Sequence, residues 1–155
     1  MNKQQHQLYP HIAYITMVKS HNKLTSLSTK MDCLKKKANE INKELNVINV
    51  QLANISNQYM SSMTTIESYY AELYDAIKMY IETNTSTPNY LEHIQTLIET
   101  ESQEMMQLKT TIESLQMNKQ AMVKQINRFR SDTTRLGFKI IQESDIYFRL
   151  LCALE

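Results

Sequence analysis

From Leu91 to Leu154 the apolar residues return at alternating steps of three and four. They are Leu91, Ile94, Ile98, Met105, Leu108, Ile112, Leu115, Met122, Ile126, Phe129, Leu136, Ile140, Tyr147, Leu150 and Leu154. In a heptad frame only Glu101, Lys119, Thr133 and Glu143 interrupt the a and d slots. A repeat of about 3.5 residues holds one stripe of a helix toward a partner along its whole length. Wrapping such a stripe into a globule takes turns, and the 155-residue chain has one Gly and two Pro. The stripe therefore predicts a long helix with a helical partner.

The partner stripe lies upstream. Leu24, Leu27, Met31, Leu34, Ala38, Ile41, Leu45, Ile48, Leu52, Ile55 and Tyr59 repeat the pattern without a polar slot. Beyond them the apolar residues Tyr59, Met63 and Ile66 suggest a stutter, a local unwinding of a supercoil. The seam then resumes at Tyr70, Leu73, Ile77 and Tyr80. Residues 83–88 (TNTSTP) are the one convincing break, because Ser, Thr and Asn compete with helical hydrogen bonds and Pro88 restricts the residue before it. Asn89 with Glu92 has the form of a capping box. The organisation expected is a disordered segment 1–10, helix 11–83, loop 84–88 and helix 89–154, making one elongated helical domain. A softer interruption at 131–137, around the single glycine, predicts a kink.

A short loop favours antiparallel neighbours. Folding about it sets Tyr80 beside Leu91, Leu73 beside Ile98 and Met31 near Ile140. The fold class expected is all-α: two long helices in an antiparallel coiled-coil hairpin. Tyr14, Tyr69, Tyr74, Met79, Tyr90, Leu97, Met106, Phe138, Ile141 and Phe148 fall outside the strict seam. That surplus widens the apolar stripe and predicts a larger bundle completed by partner chains. The interaction seam comprises Leu24, Leu27, Met31, Leu34, Ile41, Leu45, Ile48, Leu52, Ile55, Leu108, Ile112, Leu115, Met122, Ile126, Phe129, Leu136 and Ile140.

Net charge is +1, so no global field draws the chain to nucleic acid or membrane. Charge is nonetheless segregated. Residues 18–43 and 119–139 are basic, and residues 67–113 carry nine carboxylates against Lys78 and Lys109. Lys30, Lys35, Lys36, Lys37, Arg128, Arg130 and Arg135 form a basic contact patch suited to an acidic protein surface. No aromatic rings alternate with the lysines as stacking platforms would require, so nucleic acid is not expected. No apolar run is long enough to span a bilayer, and two cysteines are too few for a disulfide scaffold. A cytoplasmic protein is the expectation. Cys152-Ala153-Leu154-Glu155 has the outline of a prenylation box, but a terminal Glu is not a usual acceptor.

A phosphate-cradling loop needs several glycines, and the four histidines have no spaced metal-ligand partners. No catalytic, cofactor-binding or metal-ligating residues are assigned, and no enzyme is expected. The polar slots Glu101, Lys119, Thr133 and Glu143 are candidates for fixing register and partner choice.

Several stretches, in order, resemble the dynactin light-chain family. They are Val50-Gln51-Leu52-Ala53-Asn54-Ile55-Ser56, Tyr70 with Leu73–Tyr80, Pro88 followed by His93–Glu101, Thr133-Thr134 with Leu136 and Lys139, and Leu150–Glu155. Arg128-Phe129-Arg130 is similar to the small subunit of the intraflagellar-transport B complex. Leu45-Asn46-Val47-Ile48 with Gln51 and Ala53 is similar to a subunit of the complex that builds lysosome-related organelles. The dynactin resemblance implies a scaffold subunit of a microtubule-motor adaptor, associated with the cytoskeleton and bundled with other coiled-coil subunits. It implies no catalytic or ligand residues. A second class shares the two-helix plan: a stalk or export chaperone of a secretion apparatus, stable as a free hairpin.

Overall fold

A computed structural model describes residues 3–84 and 88–154, and every described residue except Asn84 is helical. Helix α1 runs Lys3–Thr83 and helix α2 runs Pro88–Leu154. The two pack against each other as an all-α hairpin. Of the sequence-predicted loop, residues 85–87 lie outside the described residues.

The helix ends differ from the sequence reading in instructive ways. Helix α1 starts ahead of Pro10, which lies inside it, although a proline removes one main-chain bond there. At its other end Asn84 adopts φ 53° and its N–H donates to the Tyr80 carbonyl at 3.1 Å. This is the left-handed C-cap usually given to glycine, with asparagine tolerating the same conformation. Helix α2 opens on Pro88 itself, whose missing N–H needs no partner at a first helical position. The expected capping pair Asn89 and Glu92 therefore sits inside the helix. The helix continues through 131–137, as the unshifted heptad frame implies, and Thr133 and Thr134 there donate their hydroxyls to the Phe129 and Arg130 carbonyls at 2.7 and 3.0 Å. Ten further threonines return their hydroxyls four residues back in the same way, which lets residues of low helix propensity stay in long helices.

The chain divides into two compact units, Met1–Glu44 with Met122–Glu155, and Leu45–Ala121. In the second unit, Ala76, Ile94 and Ile98 form a buried cluster with Tyr69, Leu73 and Leu91 packed on it. Ile94 is the most enclosed side chain, at 1% exposure. In the first unit Leu27 and Ile126 are buried, and Met31 faces Gly137: a Cβ built there would meet Met31 Cε at 3.8 Å, an ordinary contact. The glycine is thus not required by crowding.

Burial corrects the second half of the α1 seam. The buried and half-buried positions of α1 after Tyr59 are Ser62, Thr65, Ile66, Tyr69, Leu73 and Ala76, and all but Thr65 continue the upstream heptads without a break. The expected stutter is absent. Met63, Tyr70, Ile77 and Tyr80 are exposed instead, at 38, 56, 41 and 43%. Tyr80 keeps the frame at its last slot but is more exposed than the slots before it. The small residues Ser62 and Ala76 occupy slots that a search for apolar bulk passes over. Upstream, the same frame continues through Ala13, Met17 and Ser20.

Candidate functional site

All seventeen residues of the sequence-predicted interaction seam are buried or half-buried: Leu24, Leu27, Met31, Leu34, Ile41, Leu45, Ile48, Leu52 and Ile55 on α1, and Leu108, Ile112, Leu115, Met122, Ile126, Phe129, Leu136 and Ile140 on α2. Their contacts are thus made within the hairpin. The four polar slots of α2 lie in the same row, with Glu101, Lys119 and Thr133 half-buried and Glu143 buried.

Glu143 is where that row acquires chemistry. Ser20, in the facing slot of α1, donates its hydroxyl to Glu143 Oε1 at 2.8 Å. Lys23, one turn further along α1, places Nζ 2.7 Å from Oε2. The Lys23 ammonium, followed by the Ser20 hydroxyl, holds the Glu143 carboxyl below its usual range, and partial burial opposes them. The His21 and Tyr147 rings, one residue after Ser20 and four after Glu143, meet at a tilt of 45° with centroids 5.8 Å apart. Both carboxylate oxygens are therefore matched by donors from the other helix. A polar seam layer of this kind fixes which residues face one another, because sliding either helix leaves a carboxylate buried without partners. Ser20 and Lys23 escaped the sequence reading, although stepping the heptads back from Leu24 reaches Ser20.

The basic patch residues Lys30, Lys35, Lys36, Lys37, Arg128, Arg130 and Arg135 are all exposed, and all belong to the first unit. Lys30 and Arg135 flank a groove of about 390 Å³ floored by Cys33, Leu34 and Leu136 and edged by Asp132 and Lys139. Lys35 and Arg130 lie along a second groove with Ala38 and Ile126. Lys36, Lys37 and Arg128 line neither of these two grooves.

The outward faces carry a second apolar pattern. On α1 of the second unit Met60, Met63, Tyr70, Tyr74, Ile77 and Ile81 are exposed, at spacings of three and four broken by Glu67 alone. This stripe is parallel to the hairpin seam and turned away from it. On α2 of the first unit Phe138, Ile141 and Phe148 are 65, 66 and 63% exposed and share one face. Of the residues expected outside the seam, Tyr14, Tyr74, Met79, Tyr90, Met106, Phe138, Ile141 and Phe148 are exposed. Tyr69 and Leu97 are half-buried, and Tyr69 belongs to the seam.

Among the described residues no group of three or more His, Cys, Asp or Glu is placed to hold a metal ion. No helix among them is long and apolar enough to cross a membrane. The class defined by this geometry is a two-helix coiled-coil hairpin with apolar stripes on its outer surface. No family model, curated protein or solved structure matches the chain.

Proposed function

We propose that this chain is a non-enzymatic scaffold subunit of a multi-protein assembly, recruited through its outward faces. The observation that carries the reading is the outer stripe from Met60 to Ile81. Soluble monomers leave single apolar side chains exposed, but a contiguous row marks a surface that another molecule covers. Three-and-four spacing is the pattern a further helix reads. The basic patch supplies a separate contact for an acidic protein surface. The resemblance to the dynactin light-chain family directs the proposal to a cytoskeletal or trafficking assembly in the cytoplasm, with other coiled-coil chains as partners.

Cross-linking in native extract tests this reading. Long coiled-coil chains at fixed stoichiometry are expected, joined through Lys30, Lys35, Lys36, Lys37 and Lys139. Recovery of this chain with no other protein overturns it.

One observation favours a second reading, the stalk or export chaperone that works as a free hairpin. The seam closes within the chain, and Glu143 finds both its partners there. A chain that stays monomeric in solution and engages a client only transiently is the behaviour this reading expects.

A further inference from the structure

We infer that the first occupant of the outer stripe is a second copy of this chain, with the second unit of one copy docked on the first unit of the other. The inference rests on the reading of the outward faces as docking surfaces and adds the identity of the partner.

Charge complementarity names that partner. The first unit holds fourteen Lys and Arg against seven Asp and Glu, a net charge of +7. The second holds three against nine, a net of −6. The opposite charges lie next to the apolar stripes. Glu67 interrupts the Met60–Ile81 stripe, while Asp75 and Glu82 follow Tyr74 and Ile81 directly and keep their seven-residue period. On α2 of the first unit, Arg128, Arg135 and Arg149 repeat at seven or twice seven residues, on the flank of Phe138, Ile141 and Phe148. Asp145 falls within the Phe138–Phe148 row and Lys78 beside the Met60–Ile81 row, so each face is mixed. The prevailing sign beside the apolar row is nonetheless basic on the first unit and acidic on the second.

Two of the three arginines are held only by exposed pairs within α2. Arg149 pairs with Asp145 at 2.9 Å and Arg135 with Asp132 at 4.0 Å, and both pairs are solvent-exposed. Exposed pairs of this kind are weak. Two copies of the same face would repel, because like would meet like. A contact between unlike units avoids that repulsion and covers apolar surface on both sides.

Sedimentation equilibrium of the purified chain is the test. A dimer at micromolar concentration is expected, and it weakens between about 0.1 M and about 1 M salt as the Debye length falls from about 10 Å to about 3 Å. Tyr74→Lys and Ile81→Lys alter side chains 69 and 76% exposed in the single chain, so thermal melting below the dimerisation range stays unchanged, whereas in the dimer range both variants melt lower. Each weakens the dimer on the order of tenfold or more. Arg135→Glu, on the other unit, weakens it as well. A chain that is monomeric throughout the micromolar range overturns the inference, as does a dimer that neither salt nor these substitutions change. Neither outcome touches the scaffold reading, which falls only if native extract yields no other protein.

Discussion

The two units use one heptad frame but hold it together differently. The second unit rests mainly on apolar fit: Ala76 leaves room that Ile94 and Ile98 fill, with Tyr69, Leu73 and Leu91 closing around them, and its polar slots Glu101 and Lys119 are only half-buried. The first unit sets a carboxylate into the seam and satisfies it from the opposite helix through Ser20 and Lys23. Apolar packing gives strength with little specificity for register, since any apolar slot accepts its neighbour. A buried carboxylate adds little net stability and sharply penalises a slipped alignment. The difference teaches that in a two-helix hairpin the tasks of cohesion and alignment can be carried by separate stretches of one seam.

The largest test of this division is Ile94→Ala. Loss of an enclosed isoleucine costs about 2–5 kcal/mol, and at 1% exposure the upper half of that range is expected. Ile126→Ala in the first unit, at 9% exposure, falls in the lower half. Chemical denaturation reads both, and equal losses would erase the contrast between the units.

Next in size is Glu143→Ala, whose cost should depend on pH. The folded-state pKa of Glu143 is lowered, so its stabilisation is present above the unfolded carboxylate value of about 4.3. It is lost as pH falls through the lower folded value. The gap in melting temperature between the parent chain and Glu143→Ala therefore narrows from neutral pH toward about pH 3. The gap caused by Ile94→Ala should not narrow with it, because no titrating group is removed.

Gly137→Ala is a smaller effect of opposite sign. The added methyl meets Met31 at an ordinary distance, and alanine restricts the unfolded chain more than glycine does. A gain of about 0.5–1 kcal/mol is expected in thermal or denaturant unfolding. A loss would mean that the helices approach more closely at Met31 than described. Smallest of all, in the monomeric chain, is Ile81→Ser, which removes an apolar side chain that is 76% exposed and should change stability by less than about 0.5 kcal/mol.

The seam of α2 was legible because fifteen of its nineteen slots are apolar, and the exposed row of Phe138, Ile141 and Phe148 is too short to compete with it. The start of that helix, at Pro88 and not at Asn89, was not legible. The hairpin followed from one short break between two seams. The α1 seam beyond Tyr59 was not legible, for a physical reason. Two rows run side by side there, and the outward one, with Met63, Tyr70 and Ile77, is richer in apolar bulk than the inward one, with Ser62 and Ala76. Hydrophobicity reports that a row will be covered but not by which helix. Only the small side chains, which let α2 approach, mark the inward row. The Asn84 cap was hidden because asparagine replaced the glycine that signals a helix end. The Ser20–Glu143–Lys23 layer was half visible: the seam carboxylate stood out, while its donors look like ordinary surface residues in sequence.

Tyr69 and Tyr70 are neighbours in the chain, and they test the central claim of one row held inward and one left for a partner. Tyr69 packs on the Ala76–Ile94–Ile98 cluster, whereas Tyr70 is 56% exposed. Thermal unfolding of Tyr69→Ser and Tyr70→Ser, compared with the parent chain, separates the two rows directly. Truncating Tyr69 should cost about 2 kcal/mol or more. Truncating Tyr70, at a concentration where the chain is monomeric, should cost less than about 0.5 kcal/mol. A larger loss at Tyr70 than at Tyr69 would place the stutter back in α1 and contradict the continuous seam.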